Sequence, residues 1–255
     1  AVGDHTPVEA DVRDIVYATD RFGFAGLAGD FNGVTSIVEI PNGDQYMINN
    51  SSTVSVWINT NSTKDGQYIL GLGAWKGFHL EMAADWTWIN FVTQYATANI
   101  PDSEDNKFTG LGDTKDNGGW QGCTFNKELA DSVGKIYFKD KWAHVVSTYN
   151  ATTKIATLFL NGEKVRQSDF NLWPVDDAKR TTTGVTFAGN LTDGGNKLAL
   201  GFIQGSQNRV VPATWADPSN IYSYHFKGQM DDLRIYRVAL SETEVATLHA
   251  SEKPQ

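Results

Sequence analysis

Eight tryptophans stand in this 255-residue chain, and six of them fall in segments rich in glycine, aspartate, asparagine and proline. They are Trp75 in Gly73-Ala74-Trp75-Lys76-Gly77, Trp86 and Trp88 in Ala84-Asp85-Trp86-Thr87-Trp88, Trp120 in Gly118-Gly119-Trp120-Gln121-Gly122, Trp173 before Pro174, and Trp215 before Ala216-Asp217. The chemistry such rings offer is stacking. A sugar presents C–H faces that lie against flat aromatic rings, while its hydroxyls seek short polar side chains nearby. In Trp86-Thr87-Trp88 an extended backbone sends both rings to one side. Trp120, set among glycines, reads as the leading platform, with Trp86 and Trp88 next. Asp116 and Asn117 share its segment and are candidate polar partners, and Arg209 is a third from another loop. The plainer alternative is that these rings pin long loops onto the body of the protein. Trp57 and Trp142 differ: they sit in regular strand patterns and read as packing residues.

The signals for bond-breaking chemistry are weaker. Hydrolysis of a glycoside needs two carboxylates about 5–10 Å apart across the scissile bond. The chain has no Gly-x-Ser-x-Gly elbow for a serine nucleophile. His144 follows Trp142 in a strand pattern and reads as a satisfied core histidine. Cys123 is the one cysteine, so neither an internal disulfide nor a cysteine zinc site can form. The acidic stretch with Asp102, Glu104, Asp105, Asp113, Asp116 and Asn117 lacks the spacing of an EF-hand loop and reads as solvated. Asp231 raises a different question. In an alternating strand over 230–236 it shares a face with Leu233 and Ile235, and a buried carboxylate is costly unless it is paired, hydrogen-bonded or on a cation.

The elements that must position these residues are strands. Alternation predicts them at 35–40, 53–59, 67–72, 77–83, 87–93, 142–149, 154–161, 197–203 and 230–236. Asn161-Gly162 predicts a two-residue hairpin turn into Glu163-Lys164-Val165. One helix is predicted at 241–249, with Ser241 as its N-cap, Glu244 closing a capping box, and Leu240, Val245 and Leu248 as an apolar stripe. Stretches at about 98–134, 166–195 and 204–223 fit no strand well and read as long loops, which tend to carry function. The expectation is an all-β fold: a two-sheet antiparallel β-sandwich of jelly-roll type with one short C-terminal helix. Without a linker or internal repeat, residues 1–255 read as a single domain, its core at about 15–250.

Composition narrows the partners. A formal charge of −9 with no basic cluster argues against nucleic acid. No run of about 18 apolar residues exists to span a membrane. The start, Ala1-Val2-Gly3-Asp4, has no basic or apolar leader and is open to a mature or trimmed form or a cytosolic protein.

Several segments occur in a telling order: Asp20-Arg21-Phe22-Gly23, Gly29-Asp30-Phe31-Asn32-Gly33, Thr53 to Ile58, Trp142 to Tyr149, Leu158-Phe159-Leu160-Asn161-Gly162, and Gly228 to Tyr236 followed by Ala239-Leu240-Ser241. Together they resemble the laminin G-like jelly-roll domains of bacterial surface and secreted proteins, within the concanavalin A-like lectin/glucanase superfamily. The resemblance implies two packed antiparallel sheets, export to the periplasm, cell surface or medium, and a carbohydrate or adhesion context. It leaves function to the site. The Glu-x-Asp-x-x-Glu strand of the family's glucanases is absent, and the nearest candidate, Glu81-Met82-Ala83-Ala84-Asp85, does not match its spacing. His79, His144 and His225 lie outside the motifs of sandwich-fold polysaccharide lyases. In such domains the aspartate equivalent to Asp231 often binds a structural calcium with a carboxylate from the turn that Asp30 matches. The alternative is a solvated Asp30 and an Asp231 satisfied by backbone N–H groups or Arg234. The reading is therefore a non-catalytic, lectin-like domain of an exported bacterial protein, with a polysaccharide or glycan as partner. It could be part of a longer precursor with other domains. A glycoside hydrolase or polysaccharide lyase on the same fold is one alternative, and an adhesion or spacer domain is another.

Overall fold

The computed structural model describes residues 9–47, 51–60, 67–72, 78–84, 89–97, 108–109, 121–124, 140–172, 174–176, 180, 182–184, 196–203 and 225–254. In chain order the strands are β1 (Asp11–Arg13), β2 (Val16–Ala18), β3 (Ala28–Asn32), β4 (Ile37–Ile40), β5 (Ser52–Asn59), β6 (Gln67–Leu72), β7 (Phe78–Ala84), β8 (Ile89–Thr97), β9 (Phe108–Thr109), β10 (Gln121–Thr124), β11 (Trp142–Asn150), β12 (Ile155–Leu160), β13 (Glu163–Asp169), β14 (Thr182–Gly184), β15 (Leu198–Leu200) and β16 (Lys227–Tyr236). A helix, α1 (Glu242–Glu252), follows. The strands form two antiparallel sheets. One has nine strands in the order β1-β4-β15-β6-β7-β8-β10, with β9 and β14 also on β8; the other has seven in the order β13-β12-β11-β5-β16-β3-β2. This is the expected β-sandwich.

Alternation explains the layering. Val54, Val56 and Ile58 of β5, Val145 of β11, and Leu158 and Leu160 of β12 join Leu70, Leu72, Phe78, Leu80 and Met82 of the other sheet in one core. The opposite face of the seven-stranded sheet is not left to water. There Val146 and Phe159 pack against Val245 of α1 and Leu240 before it. Strands buried on both faces lose the clean burial alternation of a half-exposed sheet, and β11 is accordingly buried from Ala143 to Tyr149, with His144, Ser147 and Thr148 among the buried side chains. The helix starts as expected: the Ser241 side chain accepts from the Glu244 backbone N–H, and the Glu244 side chain accepts from the Ser241 backbone N–H. The predicted stripe is thinner than expected, since Val245 is its one fully buried member.

The hairpin at Asn161-Gly162 forms with φ of 51° and 81°, the pair of positive values that a tight twisted turn requires. Asn161 also fastens it to β11: its backbone N–H donates to the His144 carbonyl at 2.8 Å, and its Oδ1 accepts from the His144 backbone N–H at 2.9 Å.

Three expectations are corrected. The supposed loops carry β9, β10, β14 and the end of β13, and β1, β2 and β3 are further strands the pattern did not reveal. Most of these span two to five residues, too few to show a period, and they exist through pairing with longer neighbours. The face assignment in β16 is also wrong. Its register against β5 slips between Asp231 and Arg234, and Asp232 takes φ 51°. That bulge inserts one residue and reverses the parity. Asp231 therefore does not share a face with Leu233 and Ile235. Those two pack against the core, while Asp231, Asp232 and Arg234 come together on the helix side of the sheet.

Gly201 marks a tight crossing against Phe31. It has φ 78°, and a Cβ there would lie 2.3 Å from the Phe31 ring. Gly201→Ala combines overpacking with an unfavourable φ and should cost about 3 kcal/mol. Thermal unfolding of the variant, at about 2–4 °C per kcal/mol for a chain of this size, should show a drop of roughly 6–12 °C.

Candidate functional site

Among the described residues, a dense group of charges lies where β16, α1 and the turn after β2 meet. Arg21 is buried, its side chain 5% exposed. Its Nη1 lies 2.5 Å from Asp231 Oδ2, its Nη2 is 2.7 Å from Asp232 Oδ2, and its Nε donates to the Glu252 carbonyl at 3.1 Å. Arg234 pairs with Asp232 at 2.7 Å and with the Glu252 carboxylate. The Arg21 guanidinium also lies over the Trp57 ring, 5.2 Å from its centroid, and over Phe22 at 4.4 Å. A planar fork with five donors suits this role, and a lysine could not reproduce it. The bulge at Asp232 is what aims two successive carboxylates at one guanidinium.

Beside this clamp, Trp57 of β5 is 1% exposed and stacks on His144 of β11, centroids 4.8 Å apart and planes within 12°. His249 of α1 completes the set, 5.5 Å from Trp57 and 5.8 Å from His144. His144 Nε2 lies 2.8 Å from Ser55 Oγ. That is the separation of a nucleophile and its base, yet Ser55 and His144 are 1% and 0% exposed. His144 Nδ1 is buried and has no hydrogen-bond partner, so no third group orients the ring. Burial, with His249 and Arg21 adding to it, lowers the His144 pKa to about 3. The pair is a sealed packing contact with no route for a substrate. His144 is thus a core histidine as expected, but only half satisfied.

The nine-stranded sheet brings a second polar set together on its face away from the core. His79 Nε2 is 3.5 Å from Glu81 Oε2 on β7, and the Tyr68 ring meets His79 edge-on at 4.9 Å. His225 bridges to Tyr68 and stacks on Phe202. Farther along, the buried Glu39 pairs with Lys197 at 2.5 Å. Sequence spacing did not foreshadow this grouping, because its members come from β4, β6, β7 and the segments around β15 and β16. An apolar cavity of about 200 Å³ opens at the sandwich edge, lined by Ile15, Phe31, Val38, Ile69, Leu200 and Leu233 among others.

The sequence-predicted platforms Trp75, Trp86, Trp88, Trp120, Trp173 and Trp215, and the polar candidates Asp116, Asn117 and Arg209, lie outside the described residues. Trp57 is the packing residue it was read to be. Of the proposed metal ligands, Asp30 is exposed on β3, in register with Gln229, while Asp231 sits two residues along β16. Calcium takes six to eight oxygen ligands. Asp30 and an Asp231 already bound by a guanidinium do not by themselves make that shell. Among the described residues no three or more His, Cys, Asp or Glu gather as metal ligands. The partner of Asp231 that sequence reasoning missed is Arg21, 210 residues away. Nothing within the segment Asp20-Arg21-Phe22-Gly23 signals a partner so distant.

No protein-family model matches the chain, and no curated protein matches it in sequence. Solved structures do match in fold. The botulinum neurotoxin serotype D binding domain aligns over 97% of this chain and 48% of its own, at 11% identity and a TM-score of 0.55. The serotype D ligand-binding domain in complex with N-acetylneuraminic acid gives 12% identity, 97% and 47% coverage and a TM-score of 0.52. The binding domain of Paraclostridial Mosquitocidal Protein 1 gives 16% identity, 96% and 47% coverage and 0.54. This chain therefore spans about half the length of each. The likeness bears out the β-sandwich, jelly-roll fold. No helix among the described residues is long and apolar enough to cross a membrane.

Removing Arg21 leaves two carboxylates without their shared counter-charge. Arg21→Met should lower stability by about 3–5 kcal/mol, the usual cost of breaking a buried pair from one side. In a double-mutant cycle with Asp231→Asn, followed by chemical denaturation, the coupling should be about 1–3 kcal/mol. Simple additivity would mean that the two side chains are not energetically joined.

Proposed function

We propose that this chain is a non-catalytic carbohydrate-binding domain of an exported bacterial protein. In this reading Trp120, Trp86 and Trp88, with Trp75, Trp173 and Trp215, stack on a glycan, and Asp116 and Asn117 take its hydroxyls. The observation that carries it is the placement of six tryptophans in polar, glycine-containing segments of a sandwich fold. The one serine–histidine pair of bonding distance among the described residues is sealed in packing, which takes away a hydrolytic alternative there. A neighbour of the same fold, solved with N-acetylneuraminic acid bound, adds support at the level of the sandwich. Export to the surface, periplasm or medium, and further domains in a longer precursor, belong to the same proposal.

A glycan array tests it. The chain should bind at least one glycan without releasing reducing sugar, and Trp120→Ala should weaken that binding by about 5- to 150-fold, since losing a stacked ring costs on the order of 1–3 kcal/mol. Product release from a bound polysaccharide would support the second reading, a hydrolase or lyase. The observation favouring that one is His79 beside Glu81 and Tyr68 on a single sheet face. Silence on both assays would favour an adhesion or spacer role.

Structural calcium at Asp30 and Asp231 is a proposal for chelation to decide. A calcium clamp between chain ends should move the melting temperature by several degrees when chelator is added. If Arg21 alone serves Asp231, the shift stays below about 1 °C, given about 2–4 °C per kcal/mol.

A further inference from the structure

The C-terminal helix rests on the seven-stranded sheet through two different contacts. One is apolar: Val245 and Leu240 on Val146 and Phe159. The other is a three-ring stack in which His249 from the helix meets Trp57 and His144 from the sheet. The stack holds two imidazoles 5.8 Å apart, one of them fully buried with an unpartnered nitrogen. We propose that this stack makes α1 an acid-released latch, held while both rings are neutral and freed when they take up protons.

The surroundings decide the sign. Around His144 stand Ser55 on β5, Arg21 from the turn after β2, Asp232 and Arg234 on β16, and His249 on α1, while Asp231 and Glu252 join the cluster through Arg21 and Trp57. Around His249 stand Lys253 beyond its own helix and Glu163 on β13. The acids near His144 are committed to Arg21 and Arg234. A protonated ring over tryptophan is normally favourable, but the Arg21 guanidinium already lies over Trp57. A proton on His144 Nδ1 would be a buried donor with no acceptor, placed near two arginines. Burial accordingly lowers the pKa of both histidines. A histidine whose pKa is depressed in the folded state contributes nothing to pH dependence well above its free value of 6.5. It destabilises progressively as pH falls from there towards about 3.

Hydrogen exchange by mass spectrometry on the intact chain tests this, with rates corrected for intrinsic pH effects. Protection of amides in 242–252 should fall about thirtyfold from pH 7.5 to pH 5, the factor for one group moving between about 3 and 6.5. Protection of β5 should fall much less. His144→Gln should flatten the dependence. Should that variant not fold, His249→Phe should reduce the dependence. Helix protection that is the same at both pH values overturns the proposal. So does a parallel loss in β5, which would mean general acid unfolding, and so does an undiminished dependence in the folded variant.

Discussion

Arg21 is a buried cation, and the arrangement of the helix side of the molecule follows from satisfying it. A guanidinium taken out of water is costly unless several acceptors surround it. Here the acceptors come from two elements far along the chain: Asp231 and Asp232 on β16, and the Glu252 carbonyl at the end of α1. To offer two consecutive carboxylates, β16 must break its alternation, and the left-handed Asp232 does this. The bulge is therefore best understood as the backbone's accommodation of the arginine. Arg234, displaced to the same face, supplies the second cation that three acids require.

The two sheets treat polar groups differently. The seven-stranded sheet packs its outer face under a helix and fills it with a clamp and an aromatic stack. The nine-stranded sheet carries ionisable groups of its own on its outer face, the buried His79, Glu39 and His225 and the partly buried Glu81. One covering is built for adhesion of chain to chain. The other gathers acid–base groups from separate strands onto one surface.

Much of the architecture was legible in the sequence, and the reason is length. Strands such as β5, β11 and β12 are long enough for alternation to declare itself, and Asn161-Gly162 and Ser241 with Glu244 carry local signals that need no tertiary help. Short strands such as β9 and β14 were invisible because pairing, not composition, makes them. The face error in β16 arose because a period of two cannot anticipate a bulge. Asp231 was flagged as a carboxylate that must be paired, hydrogen-bonded or on a cation, with calcium, backbone N–H groups or Arg234 as the candidates, and the counter-charge the structure gives it is Arg21. Its identity was beyond reach, since Arg21 lies 210 residues earlier and proximity in space leaves no local trace. For the tryptophan platforms the sequence is the whole of the argument.

The position of β5 bears on how such a chain comes to be folded during synthesis. It lies between β11 and β16, and Trp57 reaches Glu252, 195 residues on, through its indole N–H at 3.5 Å. Contacts of that span carry a high loop-closure cost and form late. As the polypeptide leaves the ribosome, β5 can pair with β11 long before β16 exists, and until then its other edge and the outer face bearing Trp57 have no cover. Between the synthesis of β11 and that of β16 the nascent chain therefore carries an open sheet edge, the kind of surface that chaperones recognise and that aggregation exploits.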